Sequence, residues 1–311
     1  MKIAITGGSG YVGSCLIKKL EKETWVESIL SIDLNPPNIK LHTKTKYVIH
    51  DLINPFDDVL SKFKPDVLIH LSFVLKPTRN RKKTENVNLN GTLNALQAAK
   101  ASKVKQIIYF SSTTIYGAYP DNPKWLNENS TIRPAPRFQY AVDKAKSELL
   151  FESFASDNKS TKILILRGCP VMGPNANNFI SNAFAKPLLI GIRKHDPPMQ
   201  FIHEDDVVNL MEFCMINEVS GTYNVAGDGT ITWSEMAKLI RAKMISLPAS
   251  LLYSLTEISW QTRLQSESSS SGLDFIKYRW TASAQKLKET LRYQFTHSSH
   301  SAWQTFCDTK T

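Results

Sequence analysis

Tyr140 and Lys144 stand four positions apart in RFQYAVDKAKSE, residues 137 to 148. In a helix, residues at that spacing share a face, so the phenol and the ammonium point the same way. A phenol with an ordinary pKa near ~10 is no base at neutral pH. A neighbouring ammonium favours the phenolate, and a cationic cofactor ring would add to the effect. A fall of about three units, roughly 4 kcal/mol, would make the tyrosine a usable base. Tyr-x-x-x-Lys arises by chance in many helices, so the pair acquires meaning only from its surroundings.

The first of these is TGGSGYVG, residues 6 to 13, which follows the apolar run KIAIT and opens a segment with apolar residues at helical spacing. Gly7, Gly10 and Gly13 permit a tight turn, and Tyr11 and Val12 carry the chain into the helix. Such a loop lets a pyrophosphate approach backbone N–H groups and a helix N-terminus. Position between a strand and a helix is the context that distinguishes it from a chance glycine triplet. Asp33 ends the next apolar run, VESILSID. A carboxylate there accepts from adenosine ribose hydroxyls and repels a 2′-phosphate, so NAD is expected rather than NADP.

Together these segments resemble the extended short-chain dehydrogenase/reductase superfamily, in its NAD-dependent epimerase/dehydratase branch. The likeness runs in order along nearly the whole chain. TGGSGYVG is similar to the branch's TGxxGxxG loop. VIHDL puts Asp51 and Leu52 where the family contacts adenine, and HLSFV, with Leu71, matches its fourth strand. NVNLNGT places Asn88 on the family's asparagine. YFSSTTIYG places the family's catalytic hydroxyl on Ser112, and YAVDK is its Y-x-x-x-K. The resemblance implies that Tyr140 takes the proton from a substrate hydroxyl while hydride leaves the same carbon. It implies further that Ser112 holds that oxygen, and that Lys144 binds the nicotinamide ribose and depresses the tyrosine pKa.

Substrate is expected to follow from departures. Sugar-nucleotide 4,6-dehydratases resemble T-D-E-V-Y-G at the strand end, whereas this chain reads Ser112-Thr113-Thr114-Ile115-Tyr116-Gly117. Without the two acids, dehydration loses its general acid and base. UDP-sugar 4-epimerases are the better match, although their L-R-x-F-N-P segment is LRGCPVMGP here, with Cys169 before the proline. Backbone donors, Arg193 or the basic run KPTRNRKK (residues 76 to 83) are candidates for holding a diphosphate. The expected reaction is hydride transfer at a secondary alcohol, as in a nucleotide-sugar 4-epimerase. The alternative is net dehydrogenation or reduction of a small or lipophilic hydroxy or keto substrate. The apolar helical stretch LPASLLYSLTEISW would suit that alternative, but packing into the core of the smaller region is the favoured reading of it. From another class, a non-catalytic NAD-sensing or nucleic-acid-binding protein conflicts with intact Ser112, Tyr140 and Lys144.

Apolar runs alternating with helical patterns up to residue 167 predict βαβ units, hence an α/β, Rossmann-type doubly wound parallel sheet. The NAD-binding domain is expected over 1–167, with a strand near 221–227 returning to the sheet. A smaller, mixed substrate-binding region is expected over 168–311. SESSSSG, residues 266 to 272, reads as a mobile surface link. In FIHEDDVV the acids are expected to cap and lead a helix rather than bind metal, and no metal is assigned. The net charge of +10 is spread thinly along 311 residues, so nucleic acid is not an expected partner. Four scattered cysteines, an opening strand without a signal region and no long apolar stretch point to a cytoplasmic protein without membrane spans. LNALQAA and SELLFESF are apolar enough for a homodimer face built from two helices.

Overall fold

The computed structural model describes residues 1–37, 43–75, 78–184, 188–265 and 269–310. Its first half follows the expected alternation: β1 (Lys2–Thr6), α1 (Tyr11–Leu20), β2 (Ser28–Asp33), β3 (Thr45–Ile49), α2 (Asp57–Phe63), β4 (Val67–His70), α3 (Arg81–Ala101), β5 (Gln106–Ser112), α4 (Gln139–Asp157) and β6 (Lys162–Gly168). After it come the short β7 (Val171–Met172), α5 (Phe179–Phe184), β8 (Leu188–Ile192), β9 (Pro198–Met199), β10 (Ile202–His203) and α6 (Glu204–Ile216). The chain continues through β11 (Gly221–Val225), β12 (Ile231–Thr232), α7 (Trp233–Leu239), β13 (Lys243–Leu247), α8 (Ala249–Gln261), α9 (Gln285–Leu291) and α10 (Ser299–Cys307).

Seven strands form one parallel sheet in the order β11-β6-β5-β4-β1-β2-β3. The order reverses between β1 and β4, and ligands of open α/β sheets bind at the carboxyl ends of strands beside such a switch point. β1, β4 and β5 are buried almost throughout, as expected for strands covered on both faces. One core face packs Ile3, Ile5, Leu16 and Leu20 with Leu210 and Met211 of α6. The other packs Leu30, Leu68, Ala95 and Tyr109 with Phe151 of α4. A third cluster, around Phe201, Trp303 and Phe306, builds the later part of the chain.

Three local features bear on the site. The third strand stops at Ile49, so Asp51 and Leu52 lie in the turn beyond it. The helix that carries NVNLNGT begins at Arg81, because the side chain of Asn80 accepts from the Lys83 N–H and caps it. Arg81, Lys82 and Lys83 therefore occupy a helix's first turn with no acid beside them, against the helix dipole. The SESSSSG link is not a surface loop over its described part: Ser269, Ser270 and Ser271 are buried. A 3₁₀ turn over Ser270–Ile276 starts there, and Ser270 donates from both its N–H and its hydroxyl to the Glu257 carboxylate. Residues 266–268 lie outside the described residues.

Candidate active site

Ser112 ends β5, where its hydroxyl caps the following 3₁₀ turn and accepts from Thr114 at N (3.2 Å) and Oγ1 (3.0 Å). Below that strand end an internal network holds the backbone. Arg167 of β6 forks onto the buried Glu148 carboxylate (Nη2–Oε2 2.7 Å, Nε–Oε2 3.0 Å) and donates to the Tyr116 hydroxyl at 2.9 Å. The Tyr116 hydroxyl in turn donates to Asn224 Oδ1 of β11 at 2.8 Å, so the edge strand is tied to the end of β5. A bidentate, buried pair of this kind fixes geometry more than it adds stability.

Tyr140 and Lys144 share a face of α4, as their spacing requires. The Tyr140 ring sits edge-on to Phe73 (5.7 Å between centroids) and Phe138 (6.0 Å). Its ring is partly exposed to the cavity it lines, while its hydroxyl is deep enough that burial pushes its pKa up to about 12; the Ser112 hydroxyl beside it pulls the other way. Lys144 is buried, with Nζ donating to the Phe110 carbonyl at 2.7 Å and lying 3.9 Å from the Phe73 ring centroid. Burial pulls its pKa down to about 7. The expected lowering of the tyrosine pKa is thus not a property of the protein alone. Two aromatic rings desolvate the phenol, and the ammonium has turned to a carbonyl oxygen.

Asp143, which carries no motif signal of its own, lies three residues past Tyr140 on the same helical face. It accepts from Asn88 Nδ2 (2.8 Å) and Gln139 Nε2 (2.5 Å), and burial raises its pKa. Asn88 also accepts from the Val74 N–H at 2.8 Å. With both ends of its amide spent on protein, Asn88 holds the loop after β4 in register with α4. His70 is fully buried between Thr6 Oγ1 (2.7 Å) and Thr92 Oγ1 (3.1 Å), and burial drops its pKa to about 3, so it stays neutral.

The glycine loop fits a dinucleotide. Gly7 has φ +77°, and a Cβ there would lie 2.5 Å from Ser72 N; one on Gly13 would lie 2.3 Å from Gly7 O. No side chain fits at either position, which leaves bare backbone at the carboxyl end of β1. Asp33 receives the N–H groups of Ser9 and Asn35, both at 3.0 Å. A carboxylate offers about four lone-pair positions, so acceptors remain for ribose hydroxyls. Lys144 has three N–H donors and, among the described residues, one acceptor. Leu71 lies against Gly7, with its N–H bonded to Thr6 O at 3.0 Å. Asp51 accepts from Ile53 N (3.2 Å) in a local, exposed turn, and buried Leu52 offers its carbonyl to Asn94 at 2.7 Å. Val12 packs on the core. Tyr11 is a departure: its hydroxyl donates to Glu204 at the start of α6, which also takes the N–H of Asn175 at 3.1 Å. Its side chain therefore clamps α1 to α6 and leaves only its backbone for a ligand.

The acids of FIHEDDVV fill the first turn of α6, but the cap itself is His203, whose Nδ1 accepts from Asp205 N at 3.1 Å. Asp206 receives the N–H groups of Thr296 and His297, both at 2.8 Å. His203, Asp205 and His297 bring ligand atoms within 4.8 Å of one another. The two imidazoles are stacked at 3.8 Å and 22°, so their in-plane lone pairs run side by side instead of converging on one point.

Tyr140 opens onto a cavity of about 130 Å³, whose lining includes Val74, Thr84, Phe138 and Trp260 together with Arg79, Arg81 and Arg137. Trp260 comes from α8, a helix that buries only Leu252 and leaves Leu251, Leu255 and Ile258 exposed. That helix is a wall of the cavity and not part of a core. Among the described residues no helix is long and apolar enough to cross a membrane.

A switch-point glycine loop, a carboxylate at the end of β2 and a Ser, Tyr and Lys set at adjoining strand and helix ends fit an enzyme of the extended short-chain dehydrogenase/reductase type. The chain belongs to the NAD dependent epimerase/dehydratase family, whose model matches residues 3–226. It is thus an NAD-dependent enzyme. An uncharacterized protein of Mycobacterium bovis is 23% identical over 253 residues, covering 79% of this chain and 67% of that protein. Among solved structures, the UDP-glucuronic acid 4-epimerase of Bacillus cereus, in complex with UDP-glucuronic acid and NAD, aligns with a TM-score of 0.78 at 19% identity over 99% of this chain and 98% of that one. The UDP-glucose 4-epimerase of Thermotoga maritima, solved with UDP-glucose, aligns with a TM-score of 0.77 at 18% identity over 100% and 98%. At such identities the likeness to solved structures is one of fold.

Proposed function

We propose that this protein is a nucleotide-sugar 4-epimerase that keeps its NAD through the cycle. The observation that carries this is the meeting of the Ser112 hydroxyl with Tyr140, whose ring lines the cavity, with threonines rather than acids at 113 and 114. Tyr140 Oη takes the proton of the sugar C4 hydroxyl while Ser112 Oγ holds the same oxygen. Bound NAD supplies the acceptor for the hydride that leaves C4. Loss of proton and hydride converts the alcohol to a ketone, and their return to oxygen and to the opposite face of the carbon inverts it. Lys144, with donors to spare, anchors the ribose and adds positive charge beside the phenol. Gly7, Gly10 and Gly13 seat the pyrophosphate, Asp33 the adenosine ribose, and Asp51 and Leu52 the adenine edge. With Thr113 and Thr114 lacking carboxyl groups, no side chain there can protonate a leaving hydroxyl, so elimination is disfavoured.

Two solved neighbours carry UDP-glucose and UDP-glucuronic acid, which makes UDP-sugars the first substrates to try. The substrate region is formed by residues 168–311 with the loop after β4. A homodimer through α3 and α4 is supported by Leu93 and Leu149, both exposed on those helices. A cytoplasmic setting is supported by four free cysteines, three of them buried. Calorimetric titration of UDP into NAD-loaded protein tests the proposal. Micromolar binding is expected; no binding with NAD retained would redirect the search to small or lipophilic alcohols.

A further inference from the structure

We propose that Arg79 and Arg81 form an anion subsite at the mouth of the Tyr140 cavity, and that it receives the carboxylate of a nucleotide-linked sugar acid. This rests on the nucleotide-sugar reading above and adds the charge of the sugar to it.

Three arginines line the cavity, and their partners differ. Arg137 is paired with the Glu257 carboxylate at 2.5 Å. Arg79 lies over the Trp260 ring, 4.8 Å from its centroid, and donates to the carbonyl oxygens of Trp260 (2.7 Å) and Gln265 (3.3 Å). Arg81 donates to the Arg137 carbonyl at 3.2 Å. Among the described residues neither Arg79 nor Arg81 meets a carboxylate. Carbonyl dipoles and an aromatic face hold these guanidiniums in place without cancelling their charge. Each has five N–H donors, so most remain for a ligand. A planar guanidinium matches a carboxylate through two parallel hydrogen bonds, which a lysine cannot reproduce. Arg81 is also the first of three cations in the opening turn of α3, where an anion would relieve the unfavourable dipole.

Position selects the sugar's own acid over the diphosphate. Arg79, Arg81 and Tyr140 line one cavity of about 130 Å³, well below the roughly 300–1,000 Å³ of a pocket for a whole ligand. It accommodates one end of a nucleotide sugar, the end whose hydroxyl meets Tyr140. In a hexuronate the carboxylate sits on C5, next to the reacting C4, whereas the diphosphate is attached to C1 across the ring. The group that follows C4 into the cavity mouth is therefore the carboxylate.

The test is calorimetric titration of UDP, UDP-glucose and UDP-glucuronate into the NAD-loaded protein and its Arg79→Gln, Arg81→Gln double variant. The wild type is expected to prefer UDP-glucuronate to UDP-glucose by about tenfold or more, and the variant to lose that preference. An Arg79→Lys variant, which keeps the charge and loses the fork, is expected to fall between them. Near-ultraviolet circular dichroism checks that the variants remain folded. Equal wild-type affinity for the two sugars overturns the subsite while leaving the epimerase reading intact. An equal loss for all three ligands in the double variant also overturns it, because the arginines then hold the diphosphate. A wild type that keeps NAD but binds none of the three overturns the nucleotide-sugar reading, and this inference with it.

Discussion

The glycine loop and the rim of the Tyr140 cavity lie at the same end of the molecule and are built in opposite ways. In the loop, backbone meets backbone: Gly7 packs on Leu71 and Ser72, and Gly13 on Gly7 and Gly8, with no space for a side chain. At the rim, long side chains from separate elements meet: Arg79 reaches Trp260, Arg81 reaches the Arg137 carbonyl, and Arg137 reaches Glu257. The first arrangement has one solution and suits a cofactor shared across a family. The second can change one side chain at a time, which is where a substrate preference can be set without disturbing the hydride-transfer apparatus. Between them stand Ser112, Tyr140 and Lys144.

Perturbing each part should separate the three. Tyr140→Phe removes the base and leaves the cradle whole, so turnover is expected to fall by roughly 10²–10⁴-fold with NAD retained. Steady-state rates and the NAD content of the purified protein measure both halves of that statement. Gly7→Ala forces a Cβ into the backbone of Leu71 and Ser72, just after β4, at a positive φ. It is expected to cost about 1–3 kcal/mol or more of stability and to release NAD, read by thermal melting and by nucleotide content after gel filtration. Asp33→Asn keeps the shape and loses the charge; about tenfold weaker NAD binding is expected, with discrimination against NADP reduced. Glu257→Gln frees Arg137 at the exposed rim. Because Ser270 also donates twice to that carboxylate, the effect on melting should be about 1–3 kcal/mol, while affinity for an anionic sugar should rise slightly.

A pH profile sharpens the same contrast. Burial lowers the Lys144 pKa from an ordinary 10.5 to about 7. Between those values the unfolded chain binds more protons than the folded one, so this group makes stability rise with pH from about 7 towards 10.5. The contribution is lost as pH falls to about 7 and is absent below it. Lys144→Met should flatten that slope in denaturant titrations, and an unchanged slope would place the ammonium in water.

What was legible in the sequence divides along the same line. The loop, the parallel strands, the return of β11 to β6 and the residues that meet at Ser112 and Tyr140 follow from local spacing and from motifs whose backbone geometry admits few alternatives. The cavity rim does not, because residues 79–81, 137 and 257–260 are joined only when α8 docks. The apolar period of that helix fits a core as well as a wall. The upward push on the Tyr140 pKa leaves no mark in the sequence for a related reason. Spacing placed Lys144 beside the phenol, but it could not show Phe73 and Phe138 stripping water from the phenol, or the Phe110 carbonyl engaging the ammonium. The tie from Tyr11 to Glu204 spans 193 residues and left no local signal.

The most direct test of the central claim is proton NMR of a UDP-sugar incubated with the NAD-loaded protein, with nicotinamide absorbance followed in the same sample. The account predicts that the C4 epimer appears without accumulating NADH, and that Tyr140→Phe stops it. NADH building up in step with an oxidised product, or epimerisation that survives in Tyr140→Phe, would contradict it.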